Sequence, residues 1–186
     1  MHAVLHHSIR AVIIPIAAIV ALGWLAVSGD AAAKTTQTIR VFSVWQAQGK
    51  LPDSATAQSI YRDVIAGPLY VDTEKGPVSA GKMTCKAILQ VNQKDGTQVG
   101  SADCTLTVKD GAEATAKLDC KGVFMVGCSG NFTLLGGSGH LKDIKGGGKV
   151  IIRSEFADAK ARGTPASAVD LQSGILYLPA LTYELP

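Results

Sequence analysis

Two patterns of apolar and polar residues divide the chain. The first is an apolar run from Ala11 to Val27, interrupted only by Pro15 and Gly23. The second is a period-two alternation, clearest from Met83 onward, which marks strands with one face in a core and one in water. Met83, Cys85, Ala87, Leu89 and Val91 occupy one face of the first such segment, and Thr84, Lys86 and Gln90 the other, with Ile88 the exception. Asp95-Gly96 then signals a hairpin turn. The next segment sets Cys104, Leu106 and Val108 against Thr105, Thr107 and Lys109, and Asp110-Gly111 reverses the chain again. Ala116, Leu118 and Cys120 alternate with Thr115, Lys117 and Asp119, and after a turn near Val123–Gly127 the series Cys128, Gly130, Phe132, Leu134 repeats the pattern.

The flanks are less regular. Residues 38–45 read as a first strand, residues 49–68 as a loop around Pro52, Asp53, Gly67 and Pro68, and residues 59–65 as a short helical turn or a further strand. Lys149–Phe156 reads as a strand, residues 157–173 as a surface loop, and the tail as an apolar segment Gly174–Leu178 that closes with Pro179 and a last apolar piece, Leu181-Thr182-Tyr183. Short strands at regular spacing, joined by tight turns and rich in glycine, predict an all-β domain. A small antiparallel β-barrel is the expected architecture, because closure removes sheet edges that would otherwise be exposed; a β-sandwich is the alternative.

The apolar run changes the compartment. His2, His6, His7 and Arg10 precede it, Ser28-Gly29-Asp30 breaks it, and Ala31-Ala32-Ala33 supplies small residues at a cleavage point. That order predicts a helical secretory signal peptide over residues 1–33, cut between Ala33 and Lys34, and a single exported domain over 34–186. The alternative is a retained anchor formed by residues 11–27, near the lower length limit for a membrane-spanning helix. The membrane enters the expected partners only through that leader.

Four cysteines, Cys85, Cys104, Cys120 and Cys128, all fall on apolar strand faces. An even count in an exported chain predicts two disulfides. Cys120 and Cys128 flank a short connection and make one natural pair, with Cys85–Cys104 the other by elimination; the remaining connectivities stay open at this level. The spacing lacks the close cysteine pairs of a zinc site, and His140 is the one histidine beyond the leader, so neither a metal nor a cofactor is expected. The net charge of +3 and 5% aromatic content give no footprint for nucleic acid.

The segment Gly130–Gly148 is the most distinctive. It runs Gly-Asn-Phe-Thr-Leu-Leu-Gly-Gly-Ser-Gly-His-Leu and continues through Ile144 to Gly146-Gly147-Gly148. A phosphate loop would need Gly-Lys-Ser/Thr, but Lys149 is followed by Val150 and Asp143 stands where the first glycine belongs. The pattern instead resembles the Gly-Gly-Thr-Gly signature of the allene oxide cyclase and dirigent-like β-barrels of the calycin-like group, with Ser138 in place of the threonine. The resemblance implies a barrel with a central cavity. No catalytic residue of either family matches a position here, so none is carried over.

Other candidates are weaker. Ser138, His140 and Asp143 make the composition of a hydrolase triad, but they are adjacent in sequence and lack a nucleophile-elbow motif; His140 reads as a turn histidine. Asp72, Glu74 and Asp103 are acid–base candidates at a barrel mouth, set against the commoner role of solvated strand-end carboxylates. Asn131-Phe132-Thr133 has the form of a glycosylation sequon. Trp45, Phe132 and Tyr177 lead the aromatic residues that would line a cavity, followed by Tyr61, Tyr70 and Phe124, and core packing is the competing role for each. The function this supports is a non-catalytic exported barrel, periplasmic or secreted, that binds a small apolar ligand or serves the cell envelope structurally. The alternatives are an enzyme of dirigent or cyclase type acting on a small reactive substrate, and an interaction or inhibitor module presenting loops 49–68 and 157–173. Convergent polar groups in a cavity would favour the enzyme, and a filled interior the structural role.

Overall fold

The computed structural model describes residues 34–50, 58–156 and 169–185. The expected leader with Ala33 lies outside them, and so do 51–57 and 157–168. Eight antiparallel strands follow one another around a closed barrel: β1 (Thr35–Lys50), β2 (Gln58–Thr73), β3 (Gly76–Asn92), β4 (Thr97–Val108), β5 (Glu113–Val123), β6 (Gly127–Gly137), β7 (Lys145–Phe156) and β8 (Val169–Leu185). β8 pairs with β1 from Thr35↔Leu185 to Lys50↔Val169, which leaves no sheet edge and rules out the sandwich.

The central hairpins arise where the alternation predicts them. At the β3–β4 turn, Asp95 Oδ1 accepts from the Thr97 amide (2.9 Å) and hydroxyl (2.7 Å), and Gly96 takes φ +71°. At the β4–β5 turn, Asp110 Oδ1 accepts from the Ala112 amide (3.1 Å) and Gly111 takes φ +89°. The side-chain acceptor orders the turn and glycine supplies the positive φ that other residues resist.

The flanks depart from the sequence reading. Residues 58–68, expected as part of a loop, belong to β2, and residues 169–173, also expected as loop, begin β8. Residues 59–65 are strand and not helical turn. Pro68 is tolerated within β2 because the β1–β2 register skips it, with pairing resuming from Gln46↔Ala66 after Ser43↔Leu69. Register shifts at Leu69/Tyr70, Thr115/Ala116 and Gly147/Ile151 bend the strands enough to close the barrel.

Both disulfides form on the inward face. Cys85 stands directly opposite Cys104 across β3 and β4 and is bonded to it. Cys120 faces Gly130 and Cys128 faces Gly122, so the Cys120–Cys128 bond runs diagonally across the β5–β6 hairpin. The lower end of the barrel carries the β2–β3 and β4–β5 turns. The connection from β6 to β7, which contains a 3-10 turn at Gly139–Leu141, lies there too. Leu141 and Ile144 of that connection join the core with Ala112, plugging this end. Above them Met83, Phe132, Val150 and Leu178 are almost wholly buried. Burial of each such side chain contributes roughly 1.5–3 kcal/mol.

Candidate functional site

The upper end is built differently. It carries the β3–β4 and β5–β6 turns and the strand ends that lead into 51–57 and 157–168. Here the inward positions hold small residues, Ala47, Ala87, Gly100 and Ala102, and the barrel encloses a partly open cavity of about 80 Å³. One water needs roughly 10–15 Å³ on the same scale, so the space admits several waters or a small organic molecule. Its walls are largely apolar, with Ile65, Leu89, Leu118, Ile152 and Leu176 among them, and sulfur from Cys85, Cys120 and Cys128 adds to the lining.

Polar groups enter this space from separate strands. Trp45 on β1 is 3% exposed, and its Nε1 has no hydrogen-bond partner. The indole lies over Gly174 of β8, its partner in the register; a Cβ there would stand 2.6 Å from the Trp45 Cζ2 atom. Glycine at 174 therefore makes the slot in which the ring sits. Gln98 and Ser101 on β4, Ser154 on β7 and Asp63 on β2 add to the polar lining. Burial pushes the Asp63 carboxyl above the ordinary aspartate range, since a carboxylate loses hydration there and gains no compensating contact. Ser43, two residues before Trp45 on the same inward stripe, is fully buried and its hydroxyl is likewise unpartnered, though it stands outside the cavity lining.

An aromatic pair stands beside the opening. Tyr61 and Phe124 stack with centroids 5.4 Å apart, and Phe124 lines the cavity. The Phe124 amide donates to the Gly96 carbonyl (2.8 Å), tying the two upper turns together. Beside them the Gln93 amide donates to Ser59 Oγ (2.8 Å). Burial raises the Tyr61 hydroxyl's pKa, opposed by hydrogen bonding to Gln93 and reinforced by the Asp63 charge, with a smaller opposing bond to Ser59.

The sequence candidates are distributed as follows. Trp45 lines the cavity. Phe132 is inward but lies beyond it toward the lower end, packed in the closed core at 1% exposure. Tyr177 alternates with the buried Leu176 and Leu178, so strand parity turns it to the outer wall, where its register partner is Phe42. Phe42 stacks on Tyr70 (5.1 Å), which puts Tyr70 outside as well. The Ser138, His140, Asp143 set does not assemble as a triad. His140 Nδ1 instead lies 3.1 Å from the Asp110 carboxylate on the lower surface, and Ser138 Oγ accepts from the Glu113 amide. Asp72 pairs with Arg40 (3.4 Å) near the lower end, Glu74 is in an exposed turn, and Asp103 faces outward between Lys86 and Lys117. None of these carboxylates reaches the cavity. Asp63 and Gln98 are the site residues the sequence reading misses, and the usable signal for Asp63 is its odd position, shared with Tyr61 and Ile65 on the inward stripe of β2.

Among the described residues, no group of three or more histidine, cysteine or acidic side chains is arranged to hold a metal ion, and no helix is long and apolar enough to cross a membrane. No family model matches the chain, and no curated protein matches it in sequence. Among solved structures, the chain is similar to a pterocarpan synthase dirigent protein, with a TM-score of 0.39 and 9% identity. That alignment covers 82% of this chain and 92% of the other. Identity at that level assigns no residue of this chain a role.

Proposed function

We propose that the protein is an exported barrel, cut between Ala33 and Lys34, that binds a small and largely apolar molecule in its upper cavity. The observation that carries this reading is the partly open, largely apolar cavity of about 80 Å³, lined in part by Trp45, whose buried indole N–H has no partner. A buried donor without a partner costs about 1–3 kcal/mol, and a ligand acceptor placed against Nε1 recovers that loss while the ligand's apolar surface fills the space. The two disulfides suit the oxidising compartment that the leader pattern implies. Native mass spectrometry of the protein taken from its own exported fraction tests both halves of the proposal. A chain beginning at Lys34 with a small-molecule adduct supports it. Loss of the adduct in Trp45→Phe, which keeps the ring and drops the donor, ties the ligand to the indole. An empty barrel in the native fraction shifts the reading to a structural role in the envelope, and a chain still carrying residues 11–27 makes it membrane-anchored.

A second reading, an enzyme of dirigent or cyclase type, is favoured by Asp63. A carboxyl group raised by burial in a ligand-sized cavity is suited to exchange a proton with a bound substrate. Turnover that disappears in Asp63→Asn while ligand binding persists would select this reading over simple binding.

A further inference from the structure

We propose that the upper cavity selects a small, partly apolar ligand bearing a protonated amine, which seats against the Asp63 carboxylate. The inference rests on the binding reading above and adds the chemical class of the occupant.

Asp63 lies on the inward stripe of β2 and lines the cavity. Its register partners are Gly49 on β1 and Ala87 on β3, neither of which has a side chain able to donate to a carboxylate. Among the described residues, no hydrogen bond or ion pair reaches its carboxyl group. The neighbouring cations, Arg62 on β2 and Lys86 on β3, are exposed residues of opposite strand parity, directed to the outer wall. Tyr61 is the titratable group that faces Asp63, and its hydroxyl is engaged by Gln93 and Ser59. Among the described residues, the cavity lining therefore presents one carboxylate, no cation and otherwise neutral walls.

That imbalance defines what would complete the site. A carboxylate with its hydration reduced regains stability from a charge-assisted hydrogen bond, and an ammonium group supplies both the charge and the N–H donors. The direction of the Asp63 pKa agrees, because a resident cation would lower it and burial alone raises it. An aromatic face is also available to a bound cation, since Trp45 and Phe124 line the same space. A neutral ligand of the same shape would leave the carboxylate uncompensated, and an anionic one would be repelled.

The test uses three probes that share one ring and differ at one end: toluene, benzyl alcohol and benzylamine. Each is titrated into the full-length, oxidised protein at neutral pH, with binding followed by ligand-observed NMR. Benzylamine is expected to bind at least about tenfold more tightly than benzyl alcohol, the ratio a charge-assisted bond supplies. In Asp63→Asn that preference should collapse to near unity, while a cooperative urea transition shows that the variant is folded. The amine's advantage should fall as pH drops and Asp63 takes up its proton, because the neutral acid no longer balances the ammonium charge. Benzyl alcohol binding as well as the amine, or a preference that survives Asp63→Asn, overturns the amine and leaves the binding barrel standing. Failure of all three probes with the parent protein overturns both.

Discussion

Toward the lower end of the barrel the inward positions carry Met83, Leu106, Phe132 and Leu134, whereas further up the same strands they carry Ala87, Ala102, Gly100 and Gly130. The strands, the pairing and the alternation are common to both regions. On these three strands what differs is side-chain volume, whereas β5 runs the other way, with Ala114 and Ala116 below Leu118. An eight-stranded barrel is just wide enough for its side chains to fill it or for one small ligand to be held, so a few alanines and glycines in one layer decide between the two. Polarity adds to the contrast, with the unpartnered Ser43 hydroxyl outside the cavity lining as the exception. Lower polar groups such as His140, Asp110 and Ser138 find partners at the surface, while the upper interior keeps an unpartnered indole and an uncompensated carboxylate. The closed region maintains the fold, and the hollow region is where the proposed ligand would sit.

Substitutions that cross this division test it, and the largest effect is expected in the lower core. Phe132→Ala should cost about 3–5 kcal/mol, read as a lower urea midpoint for the oxidised protein, with no improvement in probe binding. A loss under about 1 kcal/mol would mean the lower region is as loosely filled as the upper. Replacing Cys85 and Cys104 together by alanine should cost on the order of 2–4 kcal/mol, mainly through the freed unfolded chain. The reduced parent protein should lose at least as much.

A matched pair sharpens the contrast further. Ala116 and Ala87 both face inward, but Ala116 is packed among core side chains and Ala87 borders the cavity. Ala116→Leu should destabilise by about 1–3 kcal/mol through overpacking. Ala87→Leu should raise stability by about 0.5–2 kcal/mol through filling the cavity, and should abolish ligand binding. Equal effects of the two substitutions would erase the distinction between the regions.

The smallest effect is a pH dependence. Burial raises the Asp63 carboxyl, so the folded protein keeps that proton to higher pH than the unfolded chain, whose aspartate ionises near 3.8. Relative to the non-titrating Asp63→Asn, the parent's stability should fall as pH rises from about 4 through the raised value, and the two should be closest below it. Asp95, held below its ordinary range by the Thr97 hydroxyl and amide, runs the other way. Its contribution is present above 3.8 and disappears as pH falls. Urea midpoints for the parent and each Asn variant at pH 3 to 7 would separate the two, and parallel curves would contradict both.

The same contrast explains what could be read from the sequence. The hairpins from β3 to β6 were legible because their inward faces are apolar and their turns carry Asp-Gly, so hydrophobic period and turn chemistry agree. Two disulfides were expected from an even count of cysteines on those faces, and the structure selects Cys85–Cys104 and Cys120–Cys128 among the open pairings. β2 was obscured because its pattern runs backwards near the cavity. Ser59, Tyr61 and Asp63 point inward, while Ile60 and Val64 stand outside at 47% and 49% exposure. Periodicity takes the apolar face as the buried one, and at the site that assumption fails. The first residues of β8 were hidden for a different reason: Val169-Asp170-Leu171-Gln172 does alternate, but the segment is short and directly follows a run rich in alanine, serine and threonine with Pro165, so it reads as part of that loop. Trp45 could be named as an aromatic candidate, but its missing hydrogen-bond partner is a property of three-dimensional placement. Local disagreement between pattern and structure is expected at functional or strained sites, and Asp63 lies within that disagreement.

The pairing of β1 with β8 has a kinetic consequence. These strands are the first and last of the barrel, and their register joins Thr35 to Leu185. While a ribosome is still making the chain, β1 has one unsatisfied edge and the growing sheet another. The hairpins between them can form early from local contacts, and the two cysteine pairs can oxidise within those hairpins. Closure must wait for the final strand, which makes it the step of greatest sequence separation and therefore the slow one. Until then the intermediate is an open sheet with two sticky borders, and a holding chaperone acting before β8 emerges would protect the yield of folded protein more than any aid given to the finished barrel.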